Sequence, residues 1–230
     1  MKKSRCKKVL SLILSVVTAC AVMMSLPQAR MQVQAAPDVK DVNLGIGGIE
    51  NPTNTGDDTT PWKGSKVYFG GQECFVLDKD GRLGGKSSQS GHMLLLTANT
   101  IGDKEFDDTA PEESDWSKST IRDYLNKDGF YNTLTATEQK SITAFEISTT
   151  NTTNWSGGSN SFPTGSEDKI FLLDYDDVFL HTNYGFVGNE SRKISITSGG
   201  VDWWWLRSSR IDRNAICVDL DGNIDLTPCG

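Results

Sequence analysis

Residues 201–210 read Val-Asp-Trp-Trp-Trp-Leu-Arg-Ser-Ser-Arg, and the three consecutive indoles constrain the fold more than any other feature of the chain. In a strand, side chains alternate between two faces. Trp203, Trp205 and Arg207 then point one way, and Trp204 and Leu206 the other. Such a strand stays dry on both faces only if helices cover one and loops cover the other, which demands a layered fold. Each indole brings a large apolar area, so the simplest reading puts Trp204 and Leu206 in a core and Trp205 beneath long polar loops. The competing reading exposes Trp203 or Trp205 as a platform for a sugar ring. Arg207 also has two readings. Its fork of donors can hold a ligand carboxylate, or it can pair with an internal carboxylate (Asp202 or Asp219) and pin loop carbonyls.

The amino terminus belongs to a different chemistry. Lys2, Lys3, Arg5, Lys7 and Lys8 precede an apolar run from Val9 to Pro27, and the segment closes on Val33-Gln34-Ala35-Ala36-Pro37. This pattern reads as a secretory signal peptide over residues 1–35, with cleavage after Ala35. Two alternatives stay open. The run is long enough for a retained membrane anchor, and Val17-Thr18-Ala19-Cys20 has the form of a lipoprotein processing site. Residues 1–35 hold six Lys and Arg and no acid, so residues 36–230 keep 23 − 6 = 17 basic against 30 acidic residues, a net charge of 17 − 30 = −13. Such a surface disfavours phosphate backbones and anionic lipid. After Ala35 no apolar run is long enough to span a membrane. The expected location is therefore outside the cell, secreted or held at its surface.

Residues 36–64 are rich in Gly, Asn, Thr, Asp and Pro and read as a linker and lead-in. Residues 65–230 form the domain. Lys66–Gly71 and Glu73–Asp78 are strand candidates, and Asp80-Gly81 is a turn signal. His92–Ala98 is a continuously apolar run that reads as a central buried strand. Over Asp115–Gly129, Ile121, Tyr124 and Leu125 share one helical face, with Asp115 or Ser117 as cap and Gly129 as stop. Thr135 and Glu138 form a capping box. Residues 148–168 and 183–202 are polar and read as long loops. Lys169–Asp174 is a strand followed by a short helix whose start suits Asp174, Asp176 and Asp177. The end is β: Trp203–Ser208, then Ala215–Leu220, then a hairpin about Asp221-Gly222-Asn223.

No catalytic or metal constellation stands out. Cys74, Cys217 and Cys229 show no C-x-x-C spacing, and His92 and His181 are isolated. Cys74 and Cys217 sit in apolar strands and read as small buried side chains. Asp219, Asp221, Asn223 and Asp225 alternate in a way that suggests calcium. Gly222 is fourth instead of sixth, however, and no distal Glu follows, so a hairpin explains them better. No cofactor is expected.

The ordered motifs Ile49-Glu50-Asn51-Pro52-Thr53, Val67-Tyr68-Phe69-Gly70-Gly71, Trp116-Ser117-Lys118-Ser119-Thr120-Ile121-Arg122-Asp123-Tyr124-Leu125-Asn126, Asp168–Asp174 and Trp204-Trp205-Leu206-Arg207-Ser208 are together specific. Across about residues 45–226 the chain resembles an uncharacterised family of secreted domains of Gram-positive bacteria, marked by that Trp-Trp-Leu-Arg-Ser motif. The resemblance implies an α+β, C-type-lectin-like fold. That fold has mixed, mostly antiparallel short-stranded sheets, two or three short helices and long polar loops, and is related to sulfatase-modifying-factor domains. It implies no reaction. Two departures stand out. Cys74-Phe75 replaces the family's Trp-Arg, and the chain ends at Thr227-Pro228-Cys229-Gly230 where members continue into a strand containing Val-Arg-Pro-Ala-Leu. The resemblance therefore implies a fragment lacking its final strand, with further domains beyond residue 230. It also implies an unpaired edge near Lys66–Gly71 and poor solubility.

The leading functional expectation is a noncatalytic binding domain for an extracellular glycan or protein. Trp203, Trp205, Arg207, Trp155 and Asn189 are the candidate ligand residues, and Trp204, Leu206, Arg207 and Ser208 the structural motif. The alternatives are a structural module of a larger surface protein and an enzyme like the sulfatase-modifying oxidases.

Overall fold

A computed structural model describes residues 13–17, 51–52, 65–83, 92–109, 115–152, 159–179, 184, 186, 188–195, 199–210 and 214–225. Two five-stranded open sheets and a set of short helices enclose one apolar cluster.

The first sheet holds β1 (Ile13–Val17), β2 (Lys66–Phe69), β3 (Gln72–Asp78), β4 (His92–Thr97) and β7 (Ile170–Phe171) in the order β2-β3-β4-β1-β7. The expected strands at Lys66 and Glu73 are present, and the leucine run is central as its continuous apolar character requires. Leu94, Leu95 and Leu96 are all buried. Among the described strands β2 is an edge pairing with β3, and Tyr68 on it is 60% exposed. The turn after β3 is built on the Asp78 carboxylate, which accepts from the Asp80 N–H (2.8 Å), the Arg82 N–H (3.1 Å) and Arg82 Nε (3.0 Å). Asn51, from the lead-in stretch, closes the same corner: its Oδ1 accepts from the Lys79 N–H at 2.7 Å. β1 comes from the stretch read as a leader, and its backbone pairs antiparallel with both β4 and β7.

The second sheet holds β5 (Phe145–Thr152), β6 (Ser159–Asp168), β10 (Trp204–Arg210), β11 (Ala215–Val218) and β12 (Ile224–Asp225) in the order β12-β11-β10-β5-β6. All pairs are antiparallel except β10 with β5, which meet in parallel at Ser209 and Asn151. Residues 148–168 were expected to be a loop, and within them 148–152 and 159–168 are instead strand, paired antiparallel as parts of β5 and β6. Their Ser, Thr and Asn content lacks apolar alternation, so periodicity gives no strand signal. Ladder pairing supplies the order, aided by β-branched Thr149, Thr150 and Thr152. The other expected loop, 183–202, is also partly structured. It contains α5 (Asn189–Arg192) and a small ribbon of β8 (Ile194–Ser195) and β9 (Val201–Asp202).

The helices follow their sequence signals. Asp115 caps a single 3₁₀ turn, Trp116–Lys118, by accepting the Ser117 N–H at 3.0 Å. Ser119, and not Ser117, caps α1 (Thr120–Asp123), accepting from the Arg122 N–H. A wider π-type turn, Tyr124–Asp128, completes the segment, and Ile121 and Leu125 are fully buried on its inner face. Gly129 ends it by donating to the Tyr124 carbonyl at 2.9 Å. A Cβ there would lie 2.2 Å from the Tyr124 ring, so only glycine fits. After α2 (Phe130–Thr133) the Thr135–Glu138 capping box opens α3 (Ala136–Ser141). Burial pushes the Glu138 carboxyl up. Hydrogen bonds from Thr135 and from the Gly70 N–H outweigh that and leave it below its ordinary value. Glu138 thereby ties α3 to the β2–β3 turn.

Asn126 links the helical segment to the first sheet. Its Oδ1 accepts from the N–H groups of Lys169 (2.9 Å) and Ile170 (3.1 Å), and its Nδ2 donates to the Ile170 carbonyl at 2.7 Å. A side-chain amide thus takes the place of a neighbouring strand along one edge of β7.

Candidate functional site

β10 sits between β11 and β5, pairing with β11 at Trp204, Trp205 and Ser209 and with β5 at Ser209 and Arg210. Trp203, just ahead of it, and Trp204, Trp205, Leu206 and Arg207 are all at most 7% exposed. None of the three indoles forms an open platform.

Trp203 and Trp205 share a face as the alternation requires, with ring centroids 4.8 Å apart and planes at 88°. Trp205 continues edge-to-face onto Phe106 (5.8 Å), which meets Trp116 at 6.4 Å. Such perpendicular contacts suit the ring quadrupoles. Trp205 Nε1 donates to the Lys104 carbonyl at 3.1 Å. The cover over Trp205 is thus the 104–106 segment, where the sequence suggested the loops at 148–168 and 183–202. Trp204 faces the other way, and its Nε1 donates to the Arg192 carbonyl at 3.0 Å, the last residue of α5. Arg192 is itself buried and fastens three elements: Nε donates to the Val178 carbonyl (3.0 Å), and Nη1 reaches Asn189 Oδ1 (3.1 Å) and the Gly222 carbonyl (3.5 Å). Gly222 has φ +79°, and a Cβ on it would lie 2.0 Å from the Asn189 carbonyl oxygen, so this approach requires glycine.

Arg207 is the centre of a buried polar cluster. Its Nη1 donates to the Leu172 carbonyl at 2.6 Å and to Asp177 Oδ2 at 3.1 Å, and its Nε lies 3.7 Å from Asp174 Oδ2. Its backbone N–H donates to the Leu173 carbonyl. Ser208 Oγ donates to Asp174 Oδ2 (2.8 Å) and accepts from the Tyr175 N–H (2.7 Å). Asp174 and Asp177 also order α4 (Tyr175–Phe179). Asp174 Oδ1 accepts the Asp176 N–H, and Asp177 Oδ2 accepts the Asp174 N–H. Arg207 therefore pairs internally and pins a carbonyl, but its carboxylates are not Asp202 or Asp219. Asp202 accepts the N–H of Trp203, and Asp219 accepts from Asp221 and Asn223 inside the last hairpin. Burial raises the Asp177 carboxyl above its ordinary value. The Arg207 charge opposes this and the Asp174 charge adds to it.

A second buried ion pair escaped the sequence reading. Asp168, at the end of β6, accepts from Trp116 Nε1 (2.8 Å) and Arg122 Nε (2.7 Å). The Trp-Ser-x-Ser-Thr-Ile-Arg-Asp-Tyr-Leu-Asn motif thus supplies the indole donor, the cap, the cation and the Asn126 amide that dock this helical segment. Trp116 and Arg122 lie i, i+6 across two turns, and no local spacing rule connects them to a carboxylate 52 and 46 residues away.

Asn189 is on the surface at the start of α5, with its Nδ2 donating to Asn223 Oδ1 at 2.6 Å. Trp155 lies outside the described residues. Cys74 is a free, buried thiol, pushed up to about 12 first by burial and then by the Glu73 charge, so it is inert at neutral pH. Cys217 is buried, as its apolar strand suggests, and is disulfide-bonded. His92 contacts Thr143 Oγ1 at 2.6 Å. Among the described residues no group of three or more His, Cys, Asp or Glu is placed to hold a metal. No helix among them is long and apolar enough to cross a membrane.

Fold and site together define a small α+β domain of short, mostly antiparallel open sheets, organised about a tryptophan strand and a buried arginine–carboxylate cluster. The chain belongs to the DUF6273 family, a domain of unknown function, which matches residues 90–228. Comparison with curated proteins and with solved structures gives no match.

Proposed function

We propose that this is an exported, noncatalytic binding domain of C-type-lectin-like architecture, acting outside a Gram-positive cell on a glycan or a protein. The observation that carries the reading is the internal use of the signature strand. Trp203–Ser208 are buried, and Trp204, Trp205, Arg207 and Ser208 each make polar contacts with the protein itself, so the motif builds a scaffold and recognition falls to the surface around it. The basic-then-apolar amino terminus supports export. So does the disulfide at Cys217, since such bonds persist in oxidising compartments.

The surface we assign to recognition lies where α5, β9 and the Asp219–Asn223 turn meet. The Asn189 side chain reaches Asn223 in that turn, and β9 pairs with β8, the strand that follows α5. Val201, on β9, is 43% exposed, and Leu220, in the turn that Asn189 meets through Asn223, is 52% exposed. Apolar side chains among amide groups suit a sugar face or a peptide. The test is a glycan and surface-protein binding screen on the wild-type chain, repeated with Leu220→Ser, Val201→Ser, Asn189→Ala and Trp155→Ala. We expect Leu220→Ser or Val201→Ser to weaken the hit by roughly tenfold or more at unchanged melting temperature. A hit indifferent to the three substitutions at positions 189, 201 and 220 moves the site elsewhere, and the absence of any hit removes the binding reading.

A further inference from the structure

β4 and β7 belong to one sheet but do not pair with each other; β1 lies between them. Leu14 stands opposite both Leu95 and Ile170, and Ile13 opposite both Leu96 and Phe171. One edge of β7 is already closed by the Asn126 amide, so β1 alone carries β7 into the sheet among the described strands. The walls of this slot are apolar: Leu94, Leu95, Leu96, Ile170 and Phe171 are all buried. Both walls fall inside the family match at 90–228, whereas the strand between them, at 13–17, falls outside it. That strand also lies inside the stretch that export would remove.

We propose that the slot between β4 and β7 is a strand-acceptor site. In the processed protein its occupant is an extended segment of about five apolar residues donated by a second exported polypeptide. This rests on the export reading above. Two facing strands one strand apart present rows of backbone N–H and C=O groups about 10 Å from each other; the row on β7 is short, because the Ile170 N–H and C=O are already taken by Asn126. Only an extended chain, antiparallel to both, meets both rows at once, and unmet groups beside buried leucines are costly. β1 defines the required chemistry as Ile-Leu-Ser-Val-Val, branched residues rich in β propensity. A second copy of this chain is a poor donor. The same processing removes its Ile13–Val17, and a net charge of 17 − 30 = −13 on each processed copy opposes association. That charge favours a donor with basic flanks.

The test uses the full chain with a site-specific protease sequence inserted after Ala35, folded and then cut. The probe is a fluorescent Ile-Leu-Ser-Val-Val peptide flanked by lysines, beside the same peptide carrying Ser15→Pro. Proline lacks the N–H that a central strand must donate, so it should bind roughly tenfold or more weakly. We expect one peptide per chain, with slowed hydrogen exchange at Met93–Leu95 and Phe171. A cut body that regains structure only with the unbroken peptide is the same positive result, as is a retained 1–35 fragment displaced only by that peptide. Equal binding of both peptides overturns the proposal. So does exchange at those amides that no peptide alters, or slot protection that rises only with protein concentration. Amino-terminal sequencing of protein recovered outside cells tests export separately. An intact Met1 there ends the export reading and leaves the slot measurements standing.

Discussion

Replacing Arg207 with Met lowers stability by about 3–5 kcal/mol at neutral pH, because it strips the cation from two buried carboxylates. Arg207, Asp174 and Asp177 are each at most 4% exposed, so solvent screens little of the interaction. Methionine keeps most of the volume, which isolates the loss of charge from the loss of packing. Adding Asp177→Asn in the same chain, which returns the cluster to its original net charge, should recover part of the deficit, and the shortfall from additivity measures the coupling. The pH dependence has a definite sign. Burial already holds the Asp177 carboxyl above its ordinary value, and Arg207 is the main force opposing that rise. A group raised in the folded state stabilises most at low pH and loses that contribution as pH rises. Without Arg207 the rise is larger, so the variant's deficit should shrink between about pH 7.5 and about pH 5. Urea unfolding across that range is the check. A deficit below about 1 kcal/mol, the range of exposed ion pairs, contradicts the buried cluster.

Trp204→Ala should cost about 3–5 kcal/mol, the range for deleting a buried aromatic side chain. Trp204 is 1% exposed and lies on the face that holds α5, so its loss opens a cavity and removes the donor to the Arg192 carbonyl. Trp204→Phe separates the two effects. It retains most of the apolar area and leaves that carbonyl without its indole donor, a loss of about 1–3 kcal/mol. Thermal unfolding of the wild type and both variants gives the order directly. Near-equal midpoints for all three would mean that the ring makes no structural contribution.

Much of this architecture was legible because it is local. Alternation along Trp203–Trp205 assigned the two faces at the start of β10, Ile121 and Leu125 marked the buried side of their helical segment, and Thr135 with Glu138 marked the start of α3. Partners distant in sequence were not legible. Asp174 and Asp177 were read correctly as helix-start residues. That they also face Arg207 depends on the segment after β7 running beside β10, with the Arg207 N–H bonded to the Leu173 carbonyl. The β5–β6 hairpin was hidden for a different reason: its residues carry the composition of a loop, and backbone pairing, which has no sequence period of its own, makes it a sheet. The candidate ligand residues fared unevenly. Trp203, Trp205 and Arg207 became interior because β10 is central and covered on both faces, and Asn189 reached the surface. Val201 and Leu220 were not singled out, since isolated apolar residues carry no sequence signal of their exposure.

The central claim is that the tryptophan strand is interior scaffolding. Hydrogen exchange at the indole Nε1–H groups, followed by NMR on chain labelled at tryptophan nitrogen, tests it most directly. Trp204 and Trp205 donate to the Arg192 and Lys104 carbonyls inside the fold, so their signals should persist and exchange only with global unfolding. Exchange of both as fast as an exposed indole, in a chain that is otherwise folded, would contradict the account.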